Sequence, residues 1–214
     1  MKRLLNINYL LALVLLTGCS TAYYGAMEKI GIHKREILVD RVEDAKLSQQ
    51  DAQQQFNSAL EQLSLLTEFD GGELEVAYES TKAAYEDSED AATEVATRID
   101  DIEDVAAALF AEWEEEIQQY TSTKLKKDSQ NKLRQTQADY TQLINAMNRS
   151  ESKMAPVLAA LRDNMLYLKH NLNARAVAGL QGEFAQLKLD IKQLISEMNI
   201  SIAQSDQFIA KLQQ

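Results

Sequence analysis

Residues 78–120 read YESTKAAYEDSEDAATEVATRIDDIEDVAAALFAEWEEEIQQY, and the spacing of this run decides the fold. Tyr78, Thr81, Tyr85, Ser88, Ala92, Val95, Ile99, Ile102, Ala106, Leu109, Trp113, Glu116 and Tyr120 follow one another at alternating steps of three and four residues. That rhythm puts them on one stripe of a long helix, the seam along which helices pair. The seam is long and regular but carries small and polar residues.

The same rhythm runs on both sides. Upstream, Leu38, Val42, Ala45, Gln49, Ala52, Phe56, Ala59, Leu63 and Leu66 form a first arm, ended by Asp70-Gly71-Gly72. Two successive glycines take positive φ readily and cost helix stability. Downstream, Thr121-Ser122-Thr123 predicts a turn with Ser122 or Thr123 as the next N-cap. A third arm carries Leu133, Thr136, Tyr140, Leu143 and Met147, then Leu158, Leu161, Met165, Leu168 and Leu172. Its phase slips at Met154-Ala155-Pro156, where the proline predicts a kink or short break. Asn171 and Asn173 mark the next turn. The fourth arm reads Val177, Leu180, Phe184, Leu187, Ile191, Leu194, Met198, Ser201, Ser205, Phe208 and Leu212, with Ile195, Ile202 and Ile209 widening the apolar stripe.

The predicted helices span 35–69, 73–120, 123–171 and 175–213, roughly 50, 70, 70 and 60 Å long at 1.5 Å per residue. Short turns make sequential helices antiparallel neighbours. The expected fold is all-α: one elongated, coiled-coil-like four-helix bundle over 35–214. Three long helices with a packed or trans-pairing fourth are the alternative.

The start of the chain has a different logic. Lys2 and Arg3 precede the short apolar run Leu10 to Leu16, followed by Leu16-Thr17-Gly18-Cys19. The run is too short to span a bilayer and reads as a lipoprotein signal peptide over 1–18, with Cys19 as the lipidation site. At about 0.8 kcal/mol per buried CH₂, two or three acyl chains make attachment effectively permanent. Ser20, rather than aspartate, follows the cysteine, which favours outer-membrane sorting under enteric rules. Residues 19–34 are then a lipidated, membrane-proximal segment in which Tyr23 and Tyr24 suit the membrane interface. The expected location is the cell envelope, lipid-anchored at the outer membrane and facing the periplasm.

The chain has 33 acidic and 22 basic residues, and loss of Lys2 and Arg3 takes the formal charge from −11 to −13. That balance disfavours nucleic acid and anionic lipid head groups as ligands. Charge is also uneven. From Glu68 to Glu116 there are 18 acids against Lys82 and Arg98, whereas Lys124, Lys126, Lys127, Lys132 and Arg134 follow the turn. Antiparallel hairpins would place Glu114, Glu115 and Glu116 opposite Lys124, Lys126 and Lys127, and Arg41 opposite Asp100 and Asp101. The surplus acids Asp100, Asp101, Glu103 and Asp104 are the candidate partner-binding face, with solvation as the plainer role.

Sequence support for catalysis is lacking. The chain has no Walker-type phosphate loop and no serine in a Gly-x-Ser-x-Gly elbow. A di-iron bundle needs Glu-x-x-His pairs, but Tyr167 and Ile30 stand three residues before His170 and His33. His170 reads as a helix C-terminal residue, favoured there when protonated. No catalytic residue, metal or cofactor is expected.

The stretch from Ala22 to Glu43, Phe69-Asp70-Gly71-Gly72, Asp104 through Trp113, and Leu166 through Asn173 resemble a Gram-negative envelope lipoprotein family known only as a domain of unknown function. The likeness covers the mature chain. It implies a secreted coiled-coil protein with no established activity and no catalytic residues to carry over. The expected function is a non-enzymatic, membrane-anchored scaffold or adaptor for envelope protein partners, with homo-oligomerisation possible. A periplasmic holdase-like chaperone, marked by exposed apolar surface, and a membrane-shaping module, which needs a basic concave face, are the alternatives.

Overall fold

The computed structural model describes residues 33–67, 74–171 and 173–213, and its described helices are α1 (Lys34–Thr67), α2 (Leu74–Gln119), α3 (Thr123–Glu151), α4 (Met154–His170), α5 (Ala174–Gly179) and α6 (Gln181–Leu212). No strand occurs among the described residues. The fold is an all-α bundle of four arms: α1, α2, α3 with α4, and α5 with α6. Each arm packs against the next, and the fourth closes the ring against α1. The turn at Asp70-Gly71-Gly72 lies outside the described residues.

The first-arm seam is buried throughout, from Leu38 to Leu66, with Phe56 fully enclosed. Of the fourth-arm seam, Phe184 alone is only partly buried. Arg41 Nη1 lies 3.6 Å from Asp101 Oδ2, so the expected register of the first hairpin is present. The second hairpin differs. Among the described residues Lys124, Lys126 and Lys127 form no ion pair with Glu114, Glu115 or Glu116; Lys126 Nζ donates to Gln118 Oε1 at 3.0 Å. Those long side chains reach water at an exposed turn, where an ion pair gains little.

Ser122 is the N-cap of α3, its Oγ accepting from Leu125 N–H at 3.4 Å, and Asn173 caps α5 by accepting from Ala176 N–H at 3.1 Å. The third arm breaks between Glu151 and Met154. Pro156 lacks the N–H that would bond the Ser152 carbonyl, and its ring would crowd that carbonyl, so the ladder stops there. The fourth arm was expected to be continuous but breaks at Leu180. Gly179 and Gly182 flank the break, each about 1 kcal/mol less favourable than alanine in a helix.

The α2 seam drifts at its C-terminal end. Ile117 is buried, whereas Glu116 and Tyr120, expected on the seam, are exposed. A straight helix advances 3.6 residues per turn and slips about 20° per heptad against a 3.5-residue seam. Over a helix of 46 residues the buried line therefore moves by one position.

The core contains buried polar side chains at several levels. Ser88, Thr81 and Ser205 satisfy their hydroxyls on carbonyls four residues back. Gln49 crosses the bundle instead: its Nε2 donates to Ser150 Oγ at 3.0 Å, and Ser150 donates to the Met147 carbonyl at 2.8 Å. Pairing of Lys46 with Asp206 and of Gln53 with Asn199 sets Gln49 level with residues 201–205. At that level Gln49 Oε1 and Ser201 Oγ are buried and have no hydrogen-bond partner among the described residues.

Candidate functional site

The lipobox residues Leu16, Thr17 and Gly18, the cysteine Cys19, and Tyr23 and Tyr24 lie outside the described residues. No described helix is long and apolar enough to cross a membrane. No group of three metal-ligating side chains occurs among the described residues.

The acidic side chains are divided by their neighbours. Arg41 on α1 and Arg98 on α2 each approach Asp101 to 3.6 Å, which neutralises it in place. Glu94 is bound by Arg98, Glu112 pairs with Lys34 at 3.0 Å, and Glu79 and Glu86 share Lys82. Asp100, Glu103 and Asp104 are exposed and form no ion pair among the described residues. Of the four residues expected on the face, three stay available and Asp101 is engaged within the bundle. Glu103 also acts on the neighbouring arm. The Tyr140 hydroxyl is pushed up to about 12, chiefly by burial and secondarily by the Glu103 charge.

Tyr140 belongs to an aromatic cluster. Phe110 meets it edge-on at 5.4 Å, and Phe208 lies tilted at 6.5 Å. Beside this cluster a cleft of about 550 Å³ opens between α1, α2, α3 and α6. Leu109, Trp113, Phe208 and Leu212 give it apolar walls, and Arg35, Lys132 and Lys211 contribute positive charge. Asp139 is buried against it, accepting from Lys211 Nζ at 2.6 Å and from Gln135 Nε2 at 3.2 Å. Trp113 was expected to be a core residue. It is partly exposed to the cleft, and its indole N–H donates to Ser129 Oγ at 2.9 Å.

The stagger of the helix ends produces the cleft. Lys34 at the start of α1 is level with Glu112, and Lys211 near the end of α6 is level with Asp139. Of the described helices, only α2 and α3 continue from there to the turn at Ser122. Periodicity does not reveal where helices stop relative to one another. The available signal was chemical: Asp139 stands beside a seam tyrosine, four residues after Gln135, the spacing of a helix-face pair.

A family model described as a protein of unknown function, DUF2959, matches residues 23–212. No curated protein and no solved structure matches the chain.

Proposed function

From the premise that the chain belongs to the DUF2959 family of proteins of unknown function, we propose that it is a non-enzymatic, lipid-anchored envelope protein. Its helical bundle serves as an adaptor for a basic protein partner. Anchoring rests on the lipobox ending at Cys19. The adaptor reading is carried by one observation: among the described residues Asp100, Glu103 and Asp104 stand exposed and without ion pairs, on the longest described helix. Like charges crowded on one helix repel, which costs a few tenths of a kcal/mol per pair. The same field attracts a basic surface and speeds its encounter, an effect screened beyond about 8 Å at physiological salt.

Replacing Asp100, Asp101, Glu103 and Asp104 by Asn or Gln tests the reading through in-cell crosslinking and mass spectrometry. Loss of a copurifying basic protein supports it. An unchanged set of partners would leave the acids a purely solvating role.

A further inference from the structure

The anchored end of the bundle differs from its flanks in charge and in polarity. Residues 117–127 contain no acid and three lysines, Lys124, Lys126 and Lys127, although the rest of α2 is strongly acidic. Among the described residues Lys124 and Lys127 form no ion pair, and Lys126 reaches only the neutral Gln118. Two large apolar side chains stand out beside them: Tyr120 is 44% exposed and Leu125 is 54% exposed. Neither belongs to the core. A turn carrying an exposed aromatic, an exposed leucine and lysines has the composition of a surface that sits at a lipid interface.

Its position has the same implication. The described chain begins at His33, and Lys34 pairs with Glu112, so the chain enters the bundle on the side of the α2–α3 turn. From Glu112 to Gln119, α2 overshoots the start of α1 by about 10 Å at 1.5 Å per residue. The turn is therefore the outermost described part at the end where the chain enters. The 14 residue steps from Cys19 to His33 span at most about 50 Å when extended, so a lipid at Cys19 keeps this end within reach of the membrane.

We infer that the α2–α3 turn is a second membrane contact, in which Tyr120 and Leu125 enter the interface of an anionic lipid surface and Lys124, Lys126 and Lys127 meet its head groups. This rests on the anchoring reading. Glu114, Glu115 and Glu116 lie roughly 5–8 Å behind the end of α2, and Asp128 on α3 is taken up by Lys132 at 3.7 Å. Lys124 stands nearer the tip of the turn than these acids, Lys126 is level with Gln118, and an anionic surface attracts exposed lysines beside it. The acidic total of the chain, which argues against anionic lipid as a ligand, does not describe this end.

The test uses the full chain, processed in cells and reconstituted into vesicles of phosphatidylcholine, with or without phosphatidylglycerol. An environment-sensitive fluorophore is placed on cysteine in Thr121→Cys, and separately in Ser80→Cys, about 60 Å away along α2. Acylated Cys19 does not react. The Thr121→Cys label should shift to the blue and be quenched by nitroxide lipid in the vesicles containing phosphatidylglycerol, and much less in phosphatidylcholine alone. The Ser80→Cys label should not respond. Changing Lys124, Lys126 and Lys127 to Gln together with Leu125→Ser should abolish the shift. A vesicle-bound protein whose Thr121→Cys label reads water in both lipids would overturn the inference and leave anchoring intact. A shift that needs no lipid and grows with protein concentration would assign the turn to a second copy and also overturn it. Reaction of Cys19 with the dye and failure to float with vesicles would remove the anchor and this contact together.

Discussion

Replacing Gln49 by methionine should stabilise the bundle, the reverse of the usual effect at a fully buried position. Gln49 has no solvent exposure and makes one hydrogen bond, from Nε2 to Ser150 Oγ at 3.0 Å, while its Oε1 has no partner. Losing the bond costs about 1 kcal/mol, and removing the unpartnered acceptor relieves about 1–3 kcal/mol. Ser150 remains satisfied through the Met147 carbonyl at 2.8 Å. Methionine has a similar shape and adapts to irregular spaces, so no cavity opens. The balance is a gain of about 1 kcal/mol, or 2–4 °C in melting temperature for a chain of this size. Gln49→Ala should go the other way by about 1–3 kcal/mol, because it leaves a void. Ser201→Ala should be neutral or mildly stabilising, since Ser201 Oγ is also unpartnered. Thermal and urea unfolding followed by circular dichroism measures all three. Destabilisation by Gln49→Met would show that Oε1 is satisfied in solution and would refute the predicted gain. A polar group kept in a core at some expense in stability is one way to fix the register of helices.

Three other outcomes are expected. Tyr140 has its pKa raised to about 12, so its contribution is complete below the unfolded value near 10 and is lost as pH rises toward 12. With the ring only partly buried the loss is about 1–2 kcal/mol, and Tyr140→Phe should flatten that alkaline limb in pH-dependent unfolding. Trp113→Ala should cost about 2–3 kcal/mol, less than the 3–5 of a fully enclosed tryptophan. Wild-type emission, from the single tryptophan, should fall between the buried and water-exposed limits. Cys19→Ser should accumulate as an uncleaved precursor or a soluble form, seen by gel mobility and fractionation; normal processing and membrane partitioning would refute lipidation.

Helix seams were legible because burial follows spacing. The whole first-arm seam is buried, Arg41 meets Asp101, and Pro156 breaks the third arm at the carbonyl its ring opposes. Where the structure departs from that spacing, the cause is helix drift, a local backbone preference or a non-local quantity. Glu116 and Tyr120 left the α2 seam because angular drift adds up over many turns. The break at Leu180 came from two glycines inside an otherwise strong apolar period. The cleft holding Asp139, Lys211 and Trp113 depends on how far α1 and α6 fall short of the α2–α3 turn, and no local pattern encodes that stagger. Of the acidic face, the surplus of charge was visible, but the neutralisation of Asp101 required the neighbouring helix.

The proposed recruitment of a basic partner by the acidic face of α2 is tested by photo-crosslinking in living cells. A photoreactive residue in place of Ala107, which is exposed one turn beyond Glu103, leaves all four acids intact. A second probe at Gln193, exposed on α6, reports background. A discrete adduct with a basic envelope protein is expected from position 107. The adduct is absent from position 193 and disappears when Asp100, Asp101, Glu103 and Asp104 are neutralised. The same adducts from both positions, unchanged by neutralisation, would contradict it.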